Sequence, residues 1–261
     1  MNALQTTDLE TRCDHLRALH RPGVPLLLPN VWDVATARAV VAAGFPVAAT
    51  TSGGVAAALG YEDHEKAPAA EMFAAAARIA RGVEAPVTVD AEAGYGLEPA
   101  ELVAALRTAG AAGCNLEDTD HAAGRLRESD RQADWLAAVR RAASEDGYRL
   151  VVNARIDIFI GPFLAGAGPE AQHDLVPEAV RRANAYLEAG ADCVYPILLW
   201  EPEALRRFTS EVHGPVNVLR LPQAPSLPEL AALGVARVSW GHLLHGAAMA
   251  GFTDQLAAIQ A

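Results

Sequence analysis

Eight short apolar runs, each followed by a longer stretch with helical spacing, constrain this chain more than any other feature. The runs are Leu26–Leu28, Val47–Thr51, Val87–Asp90, Cys114–Glu117, Leu150–Ala154, Cys193–Ile197, Val216–Leu219 and Arg237–Trp240. Bounded by turn residues, each has the length of a buried strand. Between them lie segments such as VATARAVVAAG, APAAEMFAAAARIARG, PAELVAALRTAGAAG, VPEAVRRANAYLEAG and SLPELAALG, several of them closed by glycine as a helix end would be. A helix between strands returns the chain to start a parallel neighbour through a right-handed crossover. In 261 residues, eight such units predict an α/β fold of the (β/α)8 TIM barrel type, with residues 1–261 forming a single domain. An open doubly wound sheet is the alternative. It is disfavoured because no GxGxxG or GxxxxGKS motif follows the first run.

Composition narrows the function classes. A hydrophobic fraction of 51% supplies a full core, and a net charge of -11 argues against a nucleic-acid partner, which requires clustered Lys and Arg. No apolar run approaches the ~18 residues of a membrane span, and the opening MNALQTTDLETRCDHLRALH is too polar for an export leader. Cys13, Cys114 and Cys193 form an odd set without metal spacing, which suits a reducing compartment, so the cytoplasm is the expected location. Of the 21 basic residues only Lys66 is a lysine, and it sits in the charged loop segment GYEDHEK. Solvated there, its amine lacks the desolvation that Schiff-base chemistry needs.

In barrels of this kind the C-terminal strand ends carry the chemistry. Four consecutive ends are polar here: Thr50-Thr51-Ser52-Gly53-Gly54, Asp90-Ala91-Glu92, Glu117-Asp118 and Asn153-Ala154-Arg155. Asp90-x-Glu92 alone reads equally well as a solvated loop or a helix cap. Carboxylates converging from adjacent strands, however, repel one another unless a cation compensates them. Oxygen-only ligation selects Mg²⁺, with Mn²⁺ as the substitute, and Mg²⁺ takes one or two carboxylates directly while keeping several waters. Ser52-Gly53-Gly54 lets backbone N–H groups approach an anion, and Arg155 offers a bidentate contact to a carboxylate. The plain alternative is a turn at Gly53-Gly54 and an internal ion pair for Arg155.

These residues resemble the isocitrate lyase/phosphoenolpyruvate mutase superfamily. The similar segments are LLLPNVWDVATARAVVAAGF, TTSGGVAAALGYED, VTVDAEAGYG, AAGCNLEDTD, LVVNARIDIF and RRANAYLEAGADCVYPI, in the family's order between Pro29 and Gly241. The resemblance implies that Asp90 coordinates Mg²⁺ directly, while Asp63, Glu92 and Glu117 act through metal-bound waters. It implies that Ser52, Gly53 and Arg155, with Gly54 beside them, hold the carboxylate of a pyruvyl unit. The implied chemistry breaks a bond at C3 of a 2-oxo or 2-hydroxy acid through a pyruvate-type enolate that Mg²⁺ and Arg155 stabilise. Family membership also implies a homo-oligomer, dimer or tetramer, with the eighth helix in HLLHGAAMAGFTDQLAAIQA exchanged between subunits.

The chain departs from the family where the leaving group is handled. The Lys-Lys-Cys-Gly-His or Lys-Arg-Cys-Gly-His loop of the lyases is replaced by the shorter Thr119–Glu128, TDHAAGRLRE. The lysine- and asparagine-bearing loop of the phosphonopyruvate branch is missing too. Glu92 replaces the more usual Asp, and Ile197 stands where Glu or His is expected. His121 and Arg125, with Arg127, are the candidates for proton donor and second carboxylate contact; their alternative is a solvated loop. Arg220 is the candidate for a distal carboxylate, or else a rim ion pair. Trp32 either walls the pocket or packs the core. His242 and His245 lack the Glu of HExxH, and Cys114 and Cys193 read as small buried hydrophobes. The expected function is a Mg²⁺-dependent carbon–carbon lyase or decarboxylase acting on a small 2-oxo or 2-hydroxy polycarboxylate. Phosphonopyruvate hydrolase or mutase chemistry, and a catalytically reduced 2-oxo acid binding barrel, are the alternatives.

Overall fold

The computed structural model describes residues 3–260. The chain opens with α1 (Ala3–Ala18), β1 (Leu26–Leu28), β2 (Asn30–Val31), α2 (Val34–Ala42), β3 (Ala48–Thr50), α3 (Ser52–Leu59) and α4 (Ala69–Gly82). It continues through β4 (Val87–Asp90), α5 (Pro99–Ala109), β5 (Gly113–Glu117), the hairpin strands β6 (Thr119–Asp120) and β7 (Arg125–Leu126), and α6 (Ser129–Glu145). β8 (Val151–Ile156), α7 (Ile160–Leu164), α8 (Glu170–Glu188), β9 (Cys193–Pro196) and α9 (Pro202–Glu211) follow. β10 (Asn217–Leu219), α10 (Leu227–Ala232), β11 (Arg237–Ser239) and α11 (Leu243–Gln260) complete it. All eight expected strands are present, and their bounds fall within two residues of the apolar runs.

The parallel strands run in the order β2-β3-β4-β5-β8-β9, and β1 and β10 flank β11. Because the first strand lies beside the last, the open doubly wound order is excluded. The ring is nevertheless hydrogen-bonded as two sheets rather than one closed ladder. Pro29, which has no N–H, splits the first strand, so that β1 pairs with β11 and β2 with β3. The second junction is the single bridge Val194–Val216, where Val194 N donates to Pro215 O at 3.0 Å.

Strand alternation separates two layers. Val87, Val89, Cys114, Leu116, Val152, Ala154, Val194, Val218 and Val238 join the large apolar cluster with Leu102, Leu106, Leu136, Val139, Ala183 and Phe208 from the helices. The opposite face carries Asp90, Asn115, Glu117, Asn153, Arg155 and Arg237 into the barrel. Register places Glu117 beside Arg155 and Asn115 beside Asn153. One layer beneath the strand ends, Asn115 Oδ1 accepts from Asn153 Nδ2 at 2.9 Å and from Arg237 Nη2 at 3.0 Å.

At the N-terminal end α1 covers the barrel. Leu9, Cys13 and Leu16 are its buried positions, spaced as one helix face. Leu16 fits because residue 113 is glycine: a Cβ there would lie 2.7 Å from Leu16 Cδ2 and 2.8 Å from Val151 O. Arg17 then spans to Asp192 and to the carbonyls of Arg149 and Leu150. At the other end of the chain α11 exposes Met249, Phe252, Leu256 and Ile259. Among the described residues no helix is long and apolar enough to cross a membrane.

Candidate active site

Asp90 ends β4, and its position is fixed from two sides. Its N–H donates to Thr50 Oγ1 at 2.8 Å, and Oδ2 accepts from Ser52 N at 3.1 Å. Ser52, Gly53 and Gly54 form the first turn of α3, not the turn of the alternative reading, and Thr51 makes no side-chain cap. The helix start, uncapped by a side chain, thus takes Asp90 on its Ser52 amide, and such a start favours negative charge. Glycine is required at 53 and 54 by close approach. A Cβ on Gly53 would lie 2.9 Å from Asp63 Oδ2, and one on Gly54 would lie 2.7 Å from Thr51 Cγ2 and 3.1 Å from Trp32 Cβ. Asp63 thus sits against the same helix start as Asp90. Asp63 Oδ1 and Asp90 Oδ1 are both buried and without a hydrogen-bond partner.

Glu92 faces the same acids. Burial pushes its carboxyl up to about 7, opposed by the Tyr95 hydroxyl and reinforced by the charges of Asp90 and Asp63. Glu117 is likewise held well above its ordinary value: burial dominates, Arg155 opposes it, and Asp157, Asp90 and Asp63 add repulsion. Its Oε1 lies 2.5 Å from His121 Nε2, within hydrogen-bond distance. Its Oε2 contacts Arg155. The Arg155 fork is occupied by Asp157, with Nε on Oδ1 at 2.6 Å and Nη2 on Oδ2 at 2.9 Å. Asp118 points away from this mouth. It is anchored by Arg182 Nη1 at 3.0 Å and by the Tyr186 hydroxyl at 2.8 Å, and burial beside Asp157 raises it to about 6.

Asp63, Asp90, Glu92, Glu117 and Asp157 thus share one mouth, with Arg155 as the guanidinium among them. Two orphaned carboxylate oxygens at one helix start, and acids strained by mutual repulsion, fit a hard divalent cation. Among the described residues no three His, Cys, Asp or Glu groups converge as a ready chelate. The donor set suits an ion that retains waters, not a closed Zn²⁺ cage.

Other expected residues lie elsewhere. Arg125 is exposed on the outer side of the hairpin, where it lines a cavity with Arg127, Arg131 and Trp135. Arg127 donates to Gln132 Oε1 and Ala93 O and lies 5.2 Å over the Trp135 ring. Arg220 binds the carbonyls of Leu221 and Ala224, stitching its own loop. Trp32 is half-buried and meets His245 of α11 edge-on at 5.0 Å, which gives that histidine a packing role. His242 is exposed and Ile197 half-buried. Cys13, Cys114 and Cys193 are buried, with thiols pushed up to about 12 by desolvation.

The residues that sequence reading misses are Asp157, Glu65, Tyr95 and His64. Asp157 carries a usable signal, because in NARID it alternates onto the Arg155 side of the chain. Glu65 and Tyr95 carry none: they meet across 30 positions. The His64 ring lies 5.4 Å from that of His121, tilted by 41°, and joins the loop after α3 to the β6–β7 hairpin.

A family model described as phosphoenolpyruvate phosphomutase matches residues 16–260. The chain belongs to this family. A functionally uncharacterised relative from Mycobacterium tuberculosis (strain ATCC 25618 / H37Rv) is 37% identical over 234 residues, covering 88% of this chain and 83% of its own. A protein named "Probable 2-methylisocitrate lyase 2" from Corynebacterium glutamicum is 31% identical over 196 residues, covering 72% of this chain and 60% of its own. A crystal structure from Burkholderia cenocepacia J2315, described as "a putative phosphonomutase", superposes with a TM-score of 0.88 at 41% identity, covering 94% of this chain and 99% of that one. The phosphoenolpyruvate phosphomutase family and the isocitrate lyase-like enzymes form one superfamily, and the parallel β/α architecture is shared with them.

Proposed function

We propose that this chain is a Mg²⁺-dependent carbon–carbon lyase or decarboxylase for a small 2-oxo or 2-hydroxy polycarboxylic acid, acting through a pyruvate-type enolate. The observation that carries the reading is the pair of buried, unpartnered oxygens of Asp63 and Asp90 beside the uncapped α3 amides. Asp90 would hold the metal, with Asp63, Glu92 and Glu117 around it; Mn²⁺ suits the same oxygens. When bound, the metal supplies Lewis acidity toward a 2-oxo group.

The protein's own groups do the rest. With Ser52 N held by Asp90, the amides of Gly53 and Gly54 would receive the substrate carboxylate, and Arg155, steadied by Asp157, offers a fixed positive charge to the developing enolate. Glu117 and His121 are hydrogen-bonded within the site, and this pair would stand as proton donor in place of the absent loop cysteine. Arg220 is held by the carbonyls of Leu221 and Ala224, so it is not assigned to a distal carboxylate.

A screen of 2-oxo and 2-hydroxy acids with and without EDTA, reading pyruvate or glyoxylate release, tests the proposal. EDTA-sensitive turnover lost in Asp90→Ala is the expected result; absence of turnover with every such acid, or activity indifferent to both changes, would contradict it. A second reading, carbon–phosphorus chemistry on phosphonopyruvate, is favoured by the likeness to the phosphonomutase-described structure. Inorganic phosphate release from phosphonopyruvate would select it.

A further inference from the structure

Backbone strain is concentrated at one place beside this site. Among the described residues, His64 (φ 67°), Glu65 (57°), Glu92 (46°) and Tyr95 (56°) are four of the five non-glycine residues with left-handed backbone, Leu198 being the fifth. Each is disfavoured by its Cβ, and such conformations persist where the surroundings over-determine them. Three hydrogen bonds do so here. The Tyr95 hydroxyl donates to Glu92 Oε1 at 2.7 Å, and Glu65 N donates to Glu92 Oε2 at 2.7 Å. Tyr95 N donates to Glu65 Oε1 at 2.5 Å and closes the ring. The Tyr95 ring is itself seated edge-on against Phe73, 5.7 Å between centroids.

Asp63 lies two residues before Glu65, and its Oδ1 has no partner, so its place is set by the backbone of the strained loop. We propose that Glu92, Glu65 and Tyr95 form a clasp that holds the Asp63 loop against the site, with Glu65 and Tyr95 as positioning residues for Asp63. The proposal rests on the metal-facing reading of Asp63 given above. It also accounts for glutamate at 92: both its oxygens are taken by the clasp, and an aspartate, shorter by about 1.5 Å, would not span to both donors.

The chain provides its own reporter. Lys66, its one lysine, is in the clasped loop, so endoproteinase Lys-C has a single target. Its side chain is exposed, but cleavage needs several residues extended and therefore reads local opening. Native-state digestion of the parent, Tyr95→Phe, Glu65→Ala and Glu65→Gln, together with calorimetric Mg²⁺ binding and urea unfolding, tests the clasp. Tyr95→Phe keeps the ring packed on Phe73 and removes only the hydroxyl. It and Glu65→Ala are expected to be cut about tenfold faster and to bind Mg²⁺ several-fold more weakly, with global stability nearly unchanged. Glu65→Gln, which keeps the acceptor for Tyr95 N, should match the parent. Unchanged cleavage in Tyr95→Phe and Glu65→Ala overturns the clasp, as does acceleration matched by an equal loss of global stability. Failure of the parent to bind Mg²⁺ contradicts the metal reading instead, and the cleavage rates alone then decide the clasp.

Discussion

Asp63 and Gly53 compete for one volume, since a Cβ at 53 would stand 2.9 Å from Asp63 Oδ2. Gly53→Ala should therefore displace the carboxylate and weaken Mg²⁺ binding about tenfold or more, read by calorimetry. Stability should hold, because alanine gains about 1 kcal/mol over glycine in a helix. His20 gives a pH prediction. Its ring is lowered from 6.5 to about 4 by burial and then by Arg237. The unfolded chain takes up the proton at 6.5 and the native chain only near 4, so the stabilisation is complete above 6.5 and is lost as pH falls from 6.5 toward 4. The loss reaches about 3 kcal/mol at most, and His20→Gln should flatten this part of the urea-midpoint profile. Asp90, Glu117 and Arg155 are legible in sequence because strand-end polarity stands out against apolar runs. Glu65 and Tyr95 are not, because their partners are set by tertiary contact.

At the scale of elements, strands read more easily than helix starts. Short apolar runs leave one structural choice, whereas Ser52-Gly53-Gly54 has poor helix propensity, and its glycines are there because Asp63, Thr51 and Trp32 crowd the space a Cβ would take. At the first junction the split of the barrel into two sheets follows from Pro29, which lacks a donor, and at the second only the Val194–Val216 bridge joins the sheets. α1 is written in the spacing of Leu9, Cys13 and Leu16, but so much polar sequence surrounds them that the stripe stands out only once Gly113 is seen to receive Leu16. Gly113→Ala would drive a methyl into Leu16 and the Val151 carbonyl. A loss of about 2 kcal/mol is expected in urea unfolding. The β6–β7 hairpin divides its charges in a way the loop sequence does not show, turning His121 inward to Glu117 and leaving Arg125 outside.

For the whole molecule, α11 is the part left unburied. Met249, Phe252, Leu256 and Ile259 are exposed along an 18-residue helix, too much apolar surface for an isolated chain to leave open without consequence. We propose that a second copy covers it, with α11 exchanged between subunits. Phe252→Glu combined with Leu256→Glu should reduce the sedimenting mass while the circular dichroism spectrum is kept; an unchanged mass contradicts that assembly. The net charge of -11 makes the neutralising ion at the strand ends the larger question. It is answered most directly by titrating Mn²⁺ into the parent and Asp90→Ala and reading free ion by electron paramagnetic resonance. An Asp90-anchored centre requires about one Mn²⁺ per parent chain, displaced by Mg²⁺, and binding weakened on the order of a hundredfold in Asp90→Ala. Equal binding by both proteins, or none by the parent, would contradict it.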